Sequence, residues 1–178
     1  MANNLFLTGY KGVGKTTIIK KAVNEFDLAP AGFMTVRDED SKGNWTRFYL
    51  VPANACITND NVNPPSNNVF ASRASKSDDI KINTNLFDQV GVKLLKGDSD
   101  LVIMDELGRF ESEAHQFQEK VEEVLESSVP VLGVMKDESI PFLNNLRKEY
   151  VPKVLRVTKD NRENIYKFVH NWLKNLNN

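Results

Sequence analysis

Apolar residues along this chain follow two rhythms. Leu5-Phe6-Leu7-Thr8, Leu101-Val102-Ile103-Met104 and Pro130 to Met135 are short continuous runs, the pattern of strands buried on both faces of a parallel sheet. Elsewhere apolar residues recur three and four positions apart: Ile18, Ile19, Ala22, Val23 and Phe26; Leu86, Phe87, Val90, Leu94 and Leu95; Ala114, Phe117, Val121, Val124 and Leu125. That spacing predicts amphipathic helices after the first strand, over Asn83 to Lys96 with a stop at Gly97-Asp98, and over Ser112 to Ser127. A helix over Ser139 to Tyr150, a strand over Lys153 to Val157 and a closing helix over Asn161 to Leu176 complete the C-terminal half.

Between the first two helices the pattern changes. Pro30-Ala31-Gly32 breaks the helix, Ala31 to Val36 reads as a strand, Asp38 to Asn44 is turn-rich, and Trp45 to Val51 alternates with aromatic and β-branched residues, so a β-hairpin is expected. Asn59 to Asn68 is too polar for a core and reads as a long exposed excursion, flanked by short strands near Ala53 to Ile57 and around Val69 to Ala71. Strands alternating with helices predict one α/β domain over residues 1–178. Its three α/β/α layers enclose a mostly parallel sheet with right-handed crossovers and a β-hairpin extension after the second strand.

Composition narrows the classes. Basic and acidic residues, 23 against 24, leave a net charge of −1, so no global field favours nucleic acid or an anionic membrane. No run reaches membrane-spanning length, and Met1-Ala2-Asn3-Asn4 lacks the positive start of a signal peptide, so a cytoplasmic chain is expected. A single Cys56 suits a reducing compartment. His115 and His170 are read as surface groups on helices, and no Cys/His cluster suggests zinc.

Candidate chemistry begins where the first apolar run ends. Gly9-Tyr10-Lys11-Gly12-Val13-Gly14-Lys15-Thr16, followed by Thr17, fits G-x-x-x-x-G-K-[ST], with strand before it and helix after it as a phosphate-binding P-loop requires. Glycines let main-chain N–H groups turn inward around an anion, and the helix N-terminus adds positive potential. Lys15 would reach the β- and γ-phosphates, and Thr16 would place its hydroxyl on Mg²⁺. The second anchor is Asp105-Glu106, expected at the carboxyl end of the Leu101 strand, on the edge where ligands of open α/β sheets sit. Asp105 would hold Mg²⁺, and Glu106 would accept a proton from a water attacking the γ-phosphate. A P-loop enzyme acting on nucleoside triphosphates is the expected class.

Arg109, in the loop beyond, either stabilises charge on the transferring phosphoryl group or makes a surface ion pair. Arg37 either touches nucleotide or pairs with Asp38 or Glu39, and Lys136 faces the same edge. Two other functions stay open. One is phosphoryl transfer to a nucleoside or nucleotide, with Asn59 to Lys76 and its Arg73 as a cover over the phosphates. The other is a nucleotide-dependent binding module, although the Asp-x-x-Gly switch and Asn-Lys-x-Asp guanine reader of GTPases are missing.

Several of these segments resemble the small P-loop nucleoside-triphosphatases of archaea and bacteria, whose vertebrate members are called cancer-related nucleoside-triphosphatases. The Walker A loop with its double threonine, Ala31-Gly32-Phe33-Met34-Thr35, Asp105-Glu106-Leu107-Gly108-Arg109-Phe110-Glu111, Pro130-Val131-Leu132-Gly133 and Asn161-Arg162-Glu163 are each similar to a segment of that family. The resemblance implies a RecA-like fold and slow, Mg²⁺-dependent hydrolysis of several nucleoside triphosphates, ATP and GTP with CTP and UTP open. It also carries the metal role to Asp105 and the water-activating role to Glu106. The chain departs from the pattern at Val36-Arg37, where the family has Glu-Glu-Val-Arg, and at Val134-Met135-Lys136, where it has Thr-Ile/Val-His.

Overall fold

The computed structural model describes residues 3–42, 44–59, 61–75, 78–95, 99–151 and 153–176. Eight strands join one sheet: β1 (Asn4–Thr8), β2 (Ala31–Glu39), β3 (Thr46–Pro52), β4 (Val69–Arg73), β5 (Lys81–Ile82), β6 (Val102–Leu107), β7 (Val131–Met135) and β8 (Lys153–Arg156). Their order is β5-β4-β3-β2-β6-β7-β1-β8. β2, β6, β7, β1 and β8 are parallel, and β3, β4 and β5 continue the sheet antiparallel from β2. The expected hairpin is thus the first pair of a longer antiparallel wing. β7 lies between β1 and β6, so the strand before the P-loop and the strand with the two acids are next-but-one neighbours in this RecA-like arrangement.

Alternation within the buried strands divides the core. Leu5 and Leu7 of β1 and Ile103 of β6 face α1 (Lys15–Asn24) and α6 (Arg162–Leu176), while Phe6 and Met104 face the opposite layer, where α4 (His115–Glu126) inserts Phe117. Phe117 packs edge-on to Phe33 with ring centroids 5.5 Å apart. Truncating such a fully buried ring typically costs about 3–5 kcal/mol. α5 (Pro141–Glu149), with proline at its first turn, buries Phe142, Leu143 and Leu146 on the same side.

Three sequence expectations change. Ala53 to Ile57 forms a helix, α2 (Ala53–Thr58), because Ala53, Cys56 and Ile57 recur at helical spacing and Pro52 precedes the first turn. The Asn83 helix is shorter than expected: a π-turn over Phe87–Gly91 runs into α3 (Val92–Leu94), with Gly91 so close to the Phe117 ring that an added Cβ would lie 2.7 Å from it. Its expected stop at Gly97-Asp98 lies outside the described residues. Third, β6 runs one residue past the acids expected at its carboxyl end, to Leu107, and its register with β7 shifts there so that Leu107 meets Met135. β5, two residues long, gave no periodic signal.

Candidate active site

Positive φ at Gly9 (133°), Gly12 (79°) and Gly14 (101°) turns the chain between β1 and α1 back on itself. At Gly9 the requirement is also steric, since a Cβ there would lie 2.4 Å from the Val157 carbonyl oxygen. The turn after β8 is held by Asn161, whose side chain accepts from Thr158 N–H at 2.8 Å and donates to Arg156 O at 2.9 Å. Asn161 therefore has a structural task in bracing the wall behind the loop.

Lys15 Nζ donates to the carbonyls of Gly9 at 2.8 Å and Tyr10 at 2.9 Å. The Thr16 hydroxyl donates to Asp105 Oδ2 at 2.6 Å, across 89 positions of sequence. Lys136 Nζ pairs with Glu106 Oε1 at 2.8 Å. These groups face a cavity of about 450 Å³ that also takes in Lys11, Thr17 and Arg109. The Tyr10 side chain points to solvent, and Val13 is buried in the helix-side core, so both can serve a ligand only through their main chain. Arg109 is exposed, its guanidinium 5.9 Å from the Phe110 ring centre. Arg37 pairs with Glu39 and lines the cavity. Arg73 does not reach it: its Nε donates to Thr46 Oγ1, tying β4 to β3. Among the described residues, none of the 59–76 excursion lines this cavity. Asn59 and Val62 line a smaller hollow beside Cys56 and Lys20 instead, and Asn68 is fastened to Leu50 O. The cover over the phosphates that the sequence left open is therefore absent among those residues, because hydrogen bonds from Asn68 and Arg73 hold the segment along the sheet.

Burial raises Asp105 to about 6, against the lowering effect of the Thr16 hydrogen bond. A hydroxyl and a carboxylate oxygen 2.6 Å apart are hard donors that fit Mg²⁺. Among the described residues no group of three His, Cys, Asp or Glu side chains could hold a metal. Mg²⁺ needs none, because it commonly takes one or two protein oxygens together with phosphate and water.

Sequence reasoning named Glu111 without a role. Its carboxyl is buried, accepts the Gly108 N–H at 2.9 Å, and is raised by burial to about 7. A raised carboxyl binds protons more tightly folded than unfolded, so stability falls as pH rises from near 4.5 towards 7. Asp105 contributes in the same direction from 3.8 to about 6. We expect the ligand-free protein's Tm to drop between about pH 4 and about pH 7, and Glu111→Gln to flatten that slope. Thermal scans across this range check it; an unchanged slope in the variant would remove Glu111 from the account. Phe48, Ile80 and Glu138, which also face the cavity, carry no motif and were not legible from sequence.

The sequence profile of a family described as NTPase matches residues 4–170. The chain belongs to the NTPase family. It is 28% identical to the nucleoside-triphosphatase THEP1 of Thermotoga petrophila over 96% of this chain and 92% of that one. It is also 26% identical to the mouse cancer-related nucleoside-triphosphatase homolog, covering 93% of each. The crystal structure of THEP1 from Aquifex aeolicus shares the fold with a TM-score of 0.65, at 22% identity over 93% of this chain and 96% of that one. No helix of the described residues is long and apolar enough to cross a membrane. His170, read as a surface group on a helix, stands 3.4 Å from Glu25 with its ring centre 4.9 Å from that of Phe26.

Proposed function

We propose that this NTPase-family enzyme hydrolyses the γ-phosphate of nucleoside 5′-triphosphates, ATP and GTP among them, to the diphosphate and phosphate. The observation that carries the reading is the 2.6 Å contact between Thr16 and Asp105, which makes one site of the P-loop and the acidic strand. Gly9 to Thr17 supply inward N–H groups and the helix N-terminus for the phosphates. Lys15 exchanges its two loop carbonyls for oxygens of the β- and γ-phosphates. Thr16 and Asp105 hold Mg²⁺, which when bound neutralises charge developing on the phosphates. Glu106, half exposed and adjacent to that pair, orients a water towards the γ-phosphorus and takes its proton. Lys136 directs the Glu106 carboxylate through their ion pair, and Arg109 lies in reach of the transferring group as a cation without a hydrogen-bond partner among the described residues.

Phosphate release measured with each of the four common triphosphates, with and without Mg²⁺, tests this reading. We expect release from all four, lost on chelation, and an Mg²⁺ requirement raised at least tenfold in Asp105→Asn. Release that persists undiminished in the presence of chelator would refute the assignment of Thr16 and Asp105.

A further inference from the structure

The cavity is larger and more apolar than water attack alone requires. Beyond the acids its wall is built by Phe48 of β3, Ile80 before β5 and Phe110 of the loop after β6, three half-buried side chains from three separate segments. Phe48 and Phe110 stand 5.7 Å apart between centroids, and both lean on Phe70, at 6.2 and 5.6 Å, so a second aromatic row braces the wall. Half-buried apolar groups converging on one cavity are the informative exception to a solvated surface, and pockets of a few hundred Å³ with this make-up hold small organic molecules.

Position relative to the phosphates decides which molecule. Glu106 marks the γ end in the reading above, and the loop that carries Phe110 adjoins it: a Cβ at Gly108 would lie 2.9 Å from Cγ of Lys136, the ion-pair partner of Glu106, and Glu111 accepts the Gly108 N–H, so the apolar wall stands on the side from which a nucleophile approaches. The ribose and base would leave from the opposite end of the phosphate chain, beside which Gly9 abuts Val157 in the turn after β8 and Gly14 abuts Arg162 at the start of α6. Charge narrows the class further. With Lys11 and Lys15 on the phosphate side, Lys136 is engaged by Glu106 and Arg37 by Glu39, and Arg109 faces the same space as Glu111 and Glu138, which leaves no net positive charge to hold a second anion. Glu138 Oε2 and Arg37 Nε are buried atoms without hydrogen-bond partners among the described residues, one an acceptor and one a donor. A neutral heteroaromatic ring carrying both donors and acceptors satisfies the pair while stacking on phenylalanine.

We propose that this chamber is an acceptor site for a neutral heteroaromatic alcohol of the nucleoside class, and that the enzyme passes the γ-phosphoryl group to its hydroxyl. The proposal rests on the γ-phosphate reading above, with the alcohol in place of water. The hydroxyl oxygen bonds to the γ-phosphorus as the bond from that phosphorus to the β,γ-bridging oxygen breaks; the diphosphate leaves with the electron pair, and the hydroxyl proton passes to Glu106. Free water remains the competing nucleophile.

The test incubates the full chain and Mg²⁺ with γ-labelled ATP and, separately, adenosine, guanosine, cytidine, uridine and their deoxy forms. Label is resolved into inorganic phosphate and nucleoside monophosphate. The expected result is labelled monophosphate from at least one nucleoside, with its ratio to released phosphate at least tenfold lower in Phe110→Leu and in Ile80→Ser. Two variants on different segments guard against a folding defect in either. Phosphate release without transfer to any of these acceptors would overturn the acceptor site and leave the hydrolase reading standing. Transfer with little free phosphate would support the acceptor site and displace hydrolysis as the main activity. If Phe110→Leu raised KM for ATP but left hydrolysis of inorganic tripolyphosphate unchanged, the chamber would belong to the triphosphate's own base, and the acceptor proposal would fail.

Discussion

Glu106→Gln is expected to slow phosphate release from ATP by about 10²- to 10⁴-fold, the usual contribution of a positioned general base. The amide keeps the carboxylate's size and still offers an oxygen to Lys136, which now stands 2.8 Å from Glu106 Oε1. What it loses is the capacity to take a proton. Nucleotide binding should change little, because the loop amides, Lys15 and the Thr16–Asp105 pair are untouched. Stability should also hold, since a half-exposed ion pair is worth about 0–1 kcal/mol. Single-turnover phosphate release beside equilibrium binding of a labelled triphosphate separates these quantities. Full turnover in the variant would remove the general-base role, whereas lost binding would mean that Glu106 holds the nucleotide instead.

The second large effect is on the fold. Gly32 has φ +99° in the middle of the β2–β6 ladder, directly opposite Ile103. A Cβ there would stand 2.0 Å from the Ile103 carbonyl oxygen and 2.8 Å from its nitrogen. Both are main-chain atoms of the central strand, so no rotamer change relieves the clash, and the left-handed conformation adds strain of its own. Gly32→Ala should therefore lower stability by about 3 kcal/mol or more and Tm by roughly 10 °C in a chain of this length. Thermal unfolding followed by circular dichroism measures it; a fall of less than about 2 °C would mean that the sheet yields locally. The effect should reach the cavity too, since Thr35 and Arg37 line it from the same strand.

These two residues also mark how unevenly the chain could be read. Glu106 stood out because the role proposed for it depends on chemical type and on following an apolar strand, both of which are local facts. Gly32 was seen only as a breaker, because its conflict is with Ile103, seventy-one positions away. The same division holds among elements. α1, α4, α5 and α6 show their buried faces at helical spacing, but α2 was taken for a strand, because five mixed residues leave the two periods hard to tell apart until packing is known. His170 read as a plain surface group because Glu25, which stands beside it at the C-terminal cap of α1, is one hundred and forty-five positions away in sequence.

By itself the sequence determined the strand–loop–helix of the phosphate cradle, the acidic pair, the parallel α/β class and most of the core, because each is written in residue type and short-range period. Only the tertiary structure decided that β7 separates the two anchor strands, that Thr16 meets Asp105, that Lys136 is tied to Glu106, and that Phe48, Ile80 and Phe110 enclose one chamber. Strand order and register set those meetings, and they are chosen by how the whole sheet buries its two faces at once, a global balance that no local window contains.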